Sequence, residues 1–158
     1  MTGEIKKEFT LRISQANSTQ LVVILYDMLL CYLNDAEEAF NQKEYDAYKD
    51  AIRKSRNCVN ELMQSLHMEY ELAHALLQLY LFCIRRLAKC EACNEDGCIK
   101  DIRRVIVPLR DAYDKISCNN TNGAVMDNSQ TVYAGLTYGR NQLTEDMTYN
   151  SPNRGMFV

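Results

Sequence analysis

Nowhere in this sequence do about 18 consecutive apolar residues occur, the length a helix needs to cross a bilayer, so no membrane insertion is expected. Its start, Met1-Thr2-Gly3-Glu4-Ile5-Lys6-Lys7, lacks the apolar stretch of a signal peptide. Long basic runs are missing too. Arg85-Arg86 and Arg103-Arg104 are isolated pairs in a chain of formal net charge −3, which gives no electrostatic case for nucleic acid or an acidic membrane surface. The pairs read as solvated helix faces. A disulfide framework is not expected either, because the seven cysteines are odd in number and several fall inside helical patterns. Cys31, Cys58 and Cys83 read as small apolar core residues, the usual role of a free cysteine in a reducing compartment. The expected location is cytoplasmic.

Chemistry is equally sparse. A zinc site needs four converging ligands, and two Cys-x2-Cys pairs would signal it. The chain has one pair, within Cys90-x2-Cys93-x4-Cys98, and Cys118 further along. Chance clustering is the favoured reading, and no metal or cofactor is expected. His67 and His74 stand seven apart near a helix start, where solvated or capping roles outweigh catalysis. No nucleophile–base pairing, glycine-rich phosphate loop or pair of inward carboxylates can be found, so no catalytic residue is assigned and an enzyme is not expected.

What is present is helical periodicity. Hydrophobic residues make up 47% and charged residues 25% of 158 residues, enough for one soluble domain with a real core. The longest apolar stretch, Leu72 to Leu87, carries two adjacent stripes if helical. One runs Leu72, Leu76, Leu79, Cys83, Leu87 and is read as buried; the other runs Ala73, Leu77, Tyr80, Ile84, Ala88. Such a helix must be covered on several sides, or leave a groove for something else to cover.

Around it, Leu21, Ile24, Leu25, Met28, Leu29, Tyr32, Ala36 and Ala39 predict a helix over about 19–41, capped by Asn17 or Ser18. Tyr48, Ala51, Ile52, Ser55, Cys58, Val59, Leu62, Met63 and Leu66 predict a second over about 44–66. The apolar stretch gives a third over about 68–90. The fourth begins after 91–97, with Ile99, Ile102, Val105, Ile106, Leu109, Ala112, Tyr113 and Ile116 inward and a kink at Pro108. Short links make these an all-α antiparallel four-helix bundle. The expected layout is an N-terminal arm over 1–17, a bundle over 18–117 and an extended or disordered tail over 118–158.

The tail is rich in Asn and Thr, with spaced apolar residues such as Val132, Tyr133, Leu136, Tyr138 and Leu143. A plain extension is favoured there; folding back on the bundle as a competing ligand, or reaching a second partner, stays open.

Four short motifs carry a resemblance. They are Leu21-x3-Leu25-Tyr26-Asp27, Glu61-Leu62-x2-Ser65-Leu66-x2-Glu69, Leu79-Tyr80-x4-Arg85-Arg86-Leu87 and Leu109-Arg110-Asp111-Ala112-Tyr113. In this order and spacing, residues 9 to 117 resemble the flagellin-specific export chaperone family, FliS. The chain departs from the family in having Phe9 where the arm usually has a tyrosine. It also has Gln15-Ala16-Asn17-Ser18 without a proline at the entry to the first bundle helix, and Tyr113 where a tryptophan is usual.

The resemblance implies a cytoplasmic chaperone that binds the C-terminal segment of flagellin, prevents premature polymerisation and hands it to the flagellar export apparatus. An amphipathic client segment would lie helix-in-groove. The residues expected to form that groove are Cys58, Leu62, Leu66, Leu77, Tyr80, Leu81 and Ile84, with Phe9 and Ile13 of the arm covering it when empty. Plain core packing explains the first seven equally well. The alternative functions are a generic four-helix interaction or regulatory module and, behind it, a cysteine-based metal-binding or redox protein.

Overall fold

The computed structural model describes residues 3–93, 97–119, 123 and 125. Five helices follow in order: α1 (Gly3–Gln15), α2 (Ser18–Asn41), α3 (Tyr45–Gln64), α4 (Glu71–Cys93) and α5 (Gly97–Asn119). There is no strand among the described residues. Helices α2 to α5 form the expected bundle, each packed against its neighbours in the cycle α2–α3–α4–α5–α2. Cross-links fix the antiparallel register. Arg103 of α5 reaches Glu37 of α2 while Arg110, further along α5, reaches Asp27 further back in α2. Arg86 of α4 pairs with Asp101 of α5, and Glu91 of α4 with Arg53 and Arg56 of α3.

The segment expected as an arm is itself a helix. Among the described helices α1 packs on α2 alone, through a small cluster in which Phe9, Ala16 and Ile24 are buried and Ile5, Ile13, Leu21 and Met28 pack around them. Asn17 then starts α2 with a capping box. Its Oδ1 accepts from the Gln20 amide and its own amide donates to Gln20 Oε1, both at 2.9 Å.

α2 ends in a Schellman motif. The Glu44 amide donates to the Ala39 carbonyl at 2.9 Å and the Lys43 amide to the Phe40 carbonyl at 3.0 Å. Lys43 adopts a left-handed φ of 63°, the conformation this motif demands and usually assigns to glycine.

The main core collects one face from each bundle helix, with Leu29, Leu33, Ile52, Val59, Leu62, Cys83, Leu87, Ile99, Ile102 and Ile106 almost wholly enclosed. On α4 the enclosed face is Ala73, Leu76, Tyr80, Cys83, Leu87 and Cys90, which takes Leu76, Cys83 and Leu87 from one stripe of the sequence pattern and Ala73 and Tyr80 from the other. Leu72 (67% exposed) and Leu79 (38%) lie outside it, because a helix apolar on two flanks does not announce its phase. Similarly, Ala112 and Ile116 of α5 face solvent rather than the core. α5 continues through Pro108, which is exposed.

The cysteines are all free among the described residues, with Cys58, Cys83, Cys90 and Cys98 buried, Cys31 half-buried, and Cys93 and Cys118 exposed.

Candidate functional site

One end of the bundle stays open. The N-terminal turns of α2, the end of α3, the 65–70 turn, the first half of α4 and Tyr113 of α5 surround a cavity of about 710 Å³. Its walls are apolar: Leu21, Val22 and Leu25 from α2, Leu66 and Tyr70 from the turn, Leu72, Ala73, Leu76 and Tyr80 from α4, and Val125 beyond α5. Ser18, Thr19, Glu61, Gln64, Ser65 and His67 supply the polar lining. Tyr70 and Leu72 are both 67% exposed, so large apolar surface stands at this end, uncovered among the described residues. A helix has fewer neighbours at a bundle's end than at its middle, and the same apolar content that closes the core elsewhere remains open here.

Tyrosines connect the cavity to the core. The Tyr80 hydroxyl is hydrogen-bonded to that of Tyr26 across the bundle, from α4 to α2. Tyr26 also packs its ring 5.7 Å from that of Tyr113. Burial pushes the Tyr80 phenol up to about 12 and raises that of Tyr113. Tyr26 is raised as well, chiefly by burial and then by the bond to Tyr80. All three stay neutral at physiological pH. They act as hydrogen-bonding and stacking groups rather than as bases.

Beside them, Asp27 accepts from Arg110 Nε at 2.9 Å and from Arg12 Nη2 at 2.7 Å. One carboxylate thereby ties α1, α2 and α5 together. The hydrogen bond to Asp27 is the main reason the Arg110 guanidinium binds its proton more tightly than usual.

The sequence-predicted groove residues separate into groups. Leu66 and Tyr80 line the cavity. Cys58 and Leu62 lie in the main core at 5% and 1% exposure. Leu77, Leu81 and Ile84 are half-buried along one flank of α4, with Ile84 packed on the core. Phe9 and Ile13 sit in the α1–α2 cluster, which shares Leu21 with the cavity wall; neither lines the cavity itself.

Sequence reasoning missed Leu21, Leu25, Tyr70, Leu72, Leu76 and Tyr113 as cavity residues. A signal was available, since all four short motifs bring residues to this one end. Tyr26-Asp27 of the first motif meets Arg110 and Tyr113 of the last. Leu66 of the second and Tyr80 of the third lie on the same cavity.

No three His, Cys, Asp or Glu side chains come together as a metal site among the described residues. Both histidines are exposed; His67 lines the cavity and His74 Nδ1 lies 3.4 Å from the Tyr70 carbonyl. No described helix is long and apolar enough to cross a membrane.

Comparison with known proteins agrees with this picture. A family model described as flagellar protein FliS matches residues 1–120. The chain is also 23% identical over 101 residues to the flagellar secretion chaperone FliS of Bacillus subtilis (strain 168), a match covering 64% of this chain and 76% of that protein.

Proposed function

This chain belongs to the FliS family of flagellar proteins, and on that footing we propose that it is a cytoplasmic flagellar export chaperone. It captures the C-terminal segment of flagellin, keeps it from polymerising and passes it to the export apparatus. No chemical step is required. The observation that carries the reading is the open cavity at the end of the bundle, with Leu and Tyr walls and a polar rim.

An amphipathic segment enters such a site with its apolar face against Leu21, Leu25, Leu72 and Leu76, while Gln64, Ser65 and His67 meet its polar edge. The neutral hydroxyl of Tyr113 offers a hydrogen bond within an otherwise apolar wall. Of the residues expected from the sequence, Leu66 and Tyr80 belong to this contact. Leu77, Leu81 and Ile84 form a second flank of α4 along which a longer client segment extends. Ordering the client offsets part of the contact energy, which suits capture followed by release.

The test is to express the chain with flagellin. One-to-one co-purification and suppressed filament growth support the proposal. Flagellin that neither binds nor stops polymerising in its presence contradicts it.

A further inference from the structure

The cavity has a second claimant on the same chain. α5 ends at Asn119, yet the Val125 amide donates to the Ala16 carbonyl at the α1–α2 junction, at 3.0 Å. That bond brings Val125 onto the cavity wall with its side chain 59% exposed. Residues 126–158 lie outside the described residues; in sequence they follow directly from Val125 on the cavity wall. We propose that the stretch around Val132, Tyr133 and Leu136 docks into this cavity and competes there with the client. The inference rests on the export-chaperone reading for the identity of that client.

Reach and chemistry both support it. Val132 lies seven residues beyond Val125, a span of up to about 23 Å in an extended chain. The α4 wall of the cavity, from Leu72 to Tyr80, is only about 12 Å long at the helical rise per residue. Residues 128–139, Asn-Ser-Gln-Thr-Val-Tyr-Ala-Gly-Leu-Thr-Tyr-Gly, carry no charge. Such a segment places Val, Tyr and Leu side chains against Leu and Tyr walls without desolvating an ion. Tethering supplies the rest. A ligand linked by a short chain to the rim of its site is present at an effective concentration on the order of millimolar. A contact too weak to persist between separate molecules therefore occupies much of the site here, and the client must displace it.

The test keeps the full chain and compares it with a Val132→Asp/Leu136→Asp variant, following the methyl NMR signals of Leu21, Leu25 and Leu76. Both substitutions come after the last bundle helix in sequence, so the residues that build its core are unchanged. The expected result is a shift of these signals in the variant, reversed when a peptide of residues 128–139 is added. A flagellin C-terminal peptide should then bind the variant roughly two- to tenfold more tightly than it binds the parent. Methyl signals identical in the two chains and unmoved by millimolar peptide would overturn the inference, whatever the client does. Methyl signals that respond while flagellin peptide binds neither chain would support the docking and count against the chaperone reading instead.

Discussion

Tyr26 and Tyr80 are the most enclosed polar pair in the bundle, at 0% and 1% exposure, with each hydroxyl satisfied by the other. Replacing Tyr80 by Phe keeps the ring and strands the Tyr26 hydroxyl in the core. An unsatisfied buried hydroxyl costs about 1–3 kcal/mol. The Tyr26→Phe change strands Tyr80 in the same way. The double variant leaves no orphan, because both partners become apolar with nearly unchanged shape, and its loss should be about 1 kcal/mol or less. The two single effects therefore fail to add, with a coupling of about 1–3 kcal/mol. Urea unfolding followed by far-ultraviolet circular dichroism reads this directly. At a slope of about 1–3 kcal/mol per molar, a loss of 2 kcal/mol lowers the midpoint by about 1 M. A double variant that falls by the sum of the two single losses would refute the reasoning, since the hydroxyls would then be solvated or bonded elsewhere.

Three further outcomes follow from the fold. Burial pushes the thiols of Cys58 and Cys83 from the ordinary 9.0 up to about 12 and 11, and the Tyr80 phenol from 10.0 to about 12. Between those limits the unfolded chain has already lost protons that the folded chain keeps, so stability holds below about pH 9 and falls as pH rises toward 12. Urea midpoints measured from pH 7 to 11 check this, and a midpoint that rises above pH 9 contradicts it. At the end of α2, Lys43→Gly should relieve the left-handed strain at φ 63° and stabilise the bundle by about 0.5–1 kcal/mol, a rise of a few degrees in the melting temperature; a lower one would be the wrong sign. Asp27→Ala removes the joint acceptor of Arg12 and Arg110. It should cost about 1–2 kcal/mol at this partly exposed site and speed amide hydrogen exchange in α1 more than in α3; equal changes in the two helices would dismiss Asp27 as the anchor of α1.

Much of the fold is legible in the residues. Helical periodicity locates α2, α3, α4 and α5 to within a few positions, and Asn17 marks the start of α2 by its capping chemistry. α1 is harder to see because its apolar residues, Ile5, Phe9 and Ile13, make a thin stripe that serves one neighbour only. The burial phase of α4 is hidden for the opposite reason. Apolar residues on both flanks satisfy two stripes equally, and only the positions of α3 and α5 choose between them. The cavity is the least legible feature of all. Leu21, Leu66, Leu76, Tyr113 and Val125 come from five separate stretches of chain, and no periodic pattern within one helix reports a vacancy shared among several. Tyr80 was identifiable because it lies on the second apolar stripe of α4, beyond the one read as buried; Leu72, whose place in a buried stripe the structure revises, was not.

Client capture at the open end of the bundle is tested most directly by calorimetric titration of a flagellin C-terminal peptide into the chain and into its Leu72→Glu variant. Leu72 is 67% exposed on the cavity wall, so the substitution should leave the melting temperature almost unchanged. It places a charge where an apolar face must land. Capture in this cavity predicts one-to-one binding to the parent chain and a loss of tenfold or more in the variant, equivalent to about 1.4 kcal/mol. Equal affinity for the two chains would contradict it.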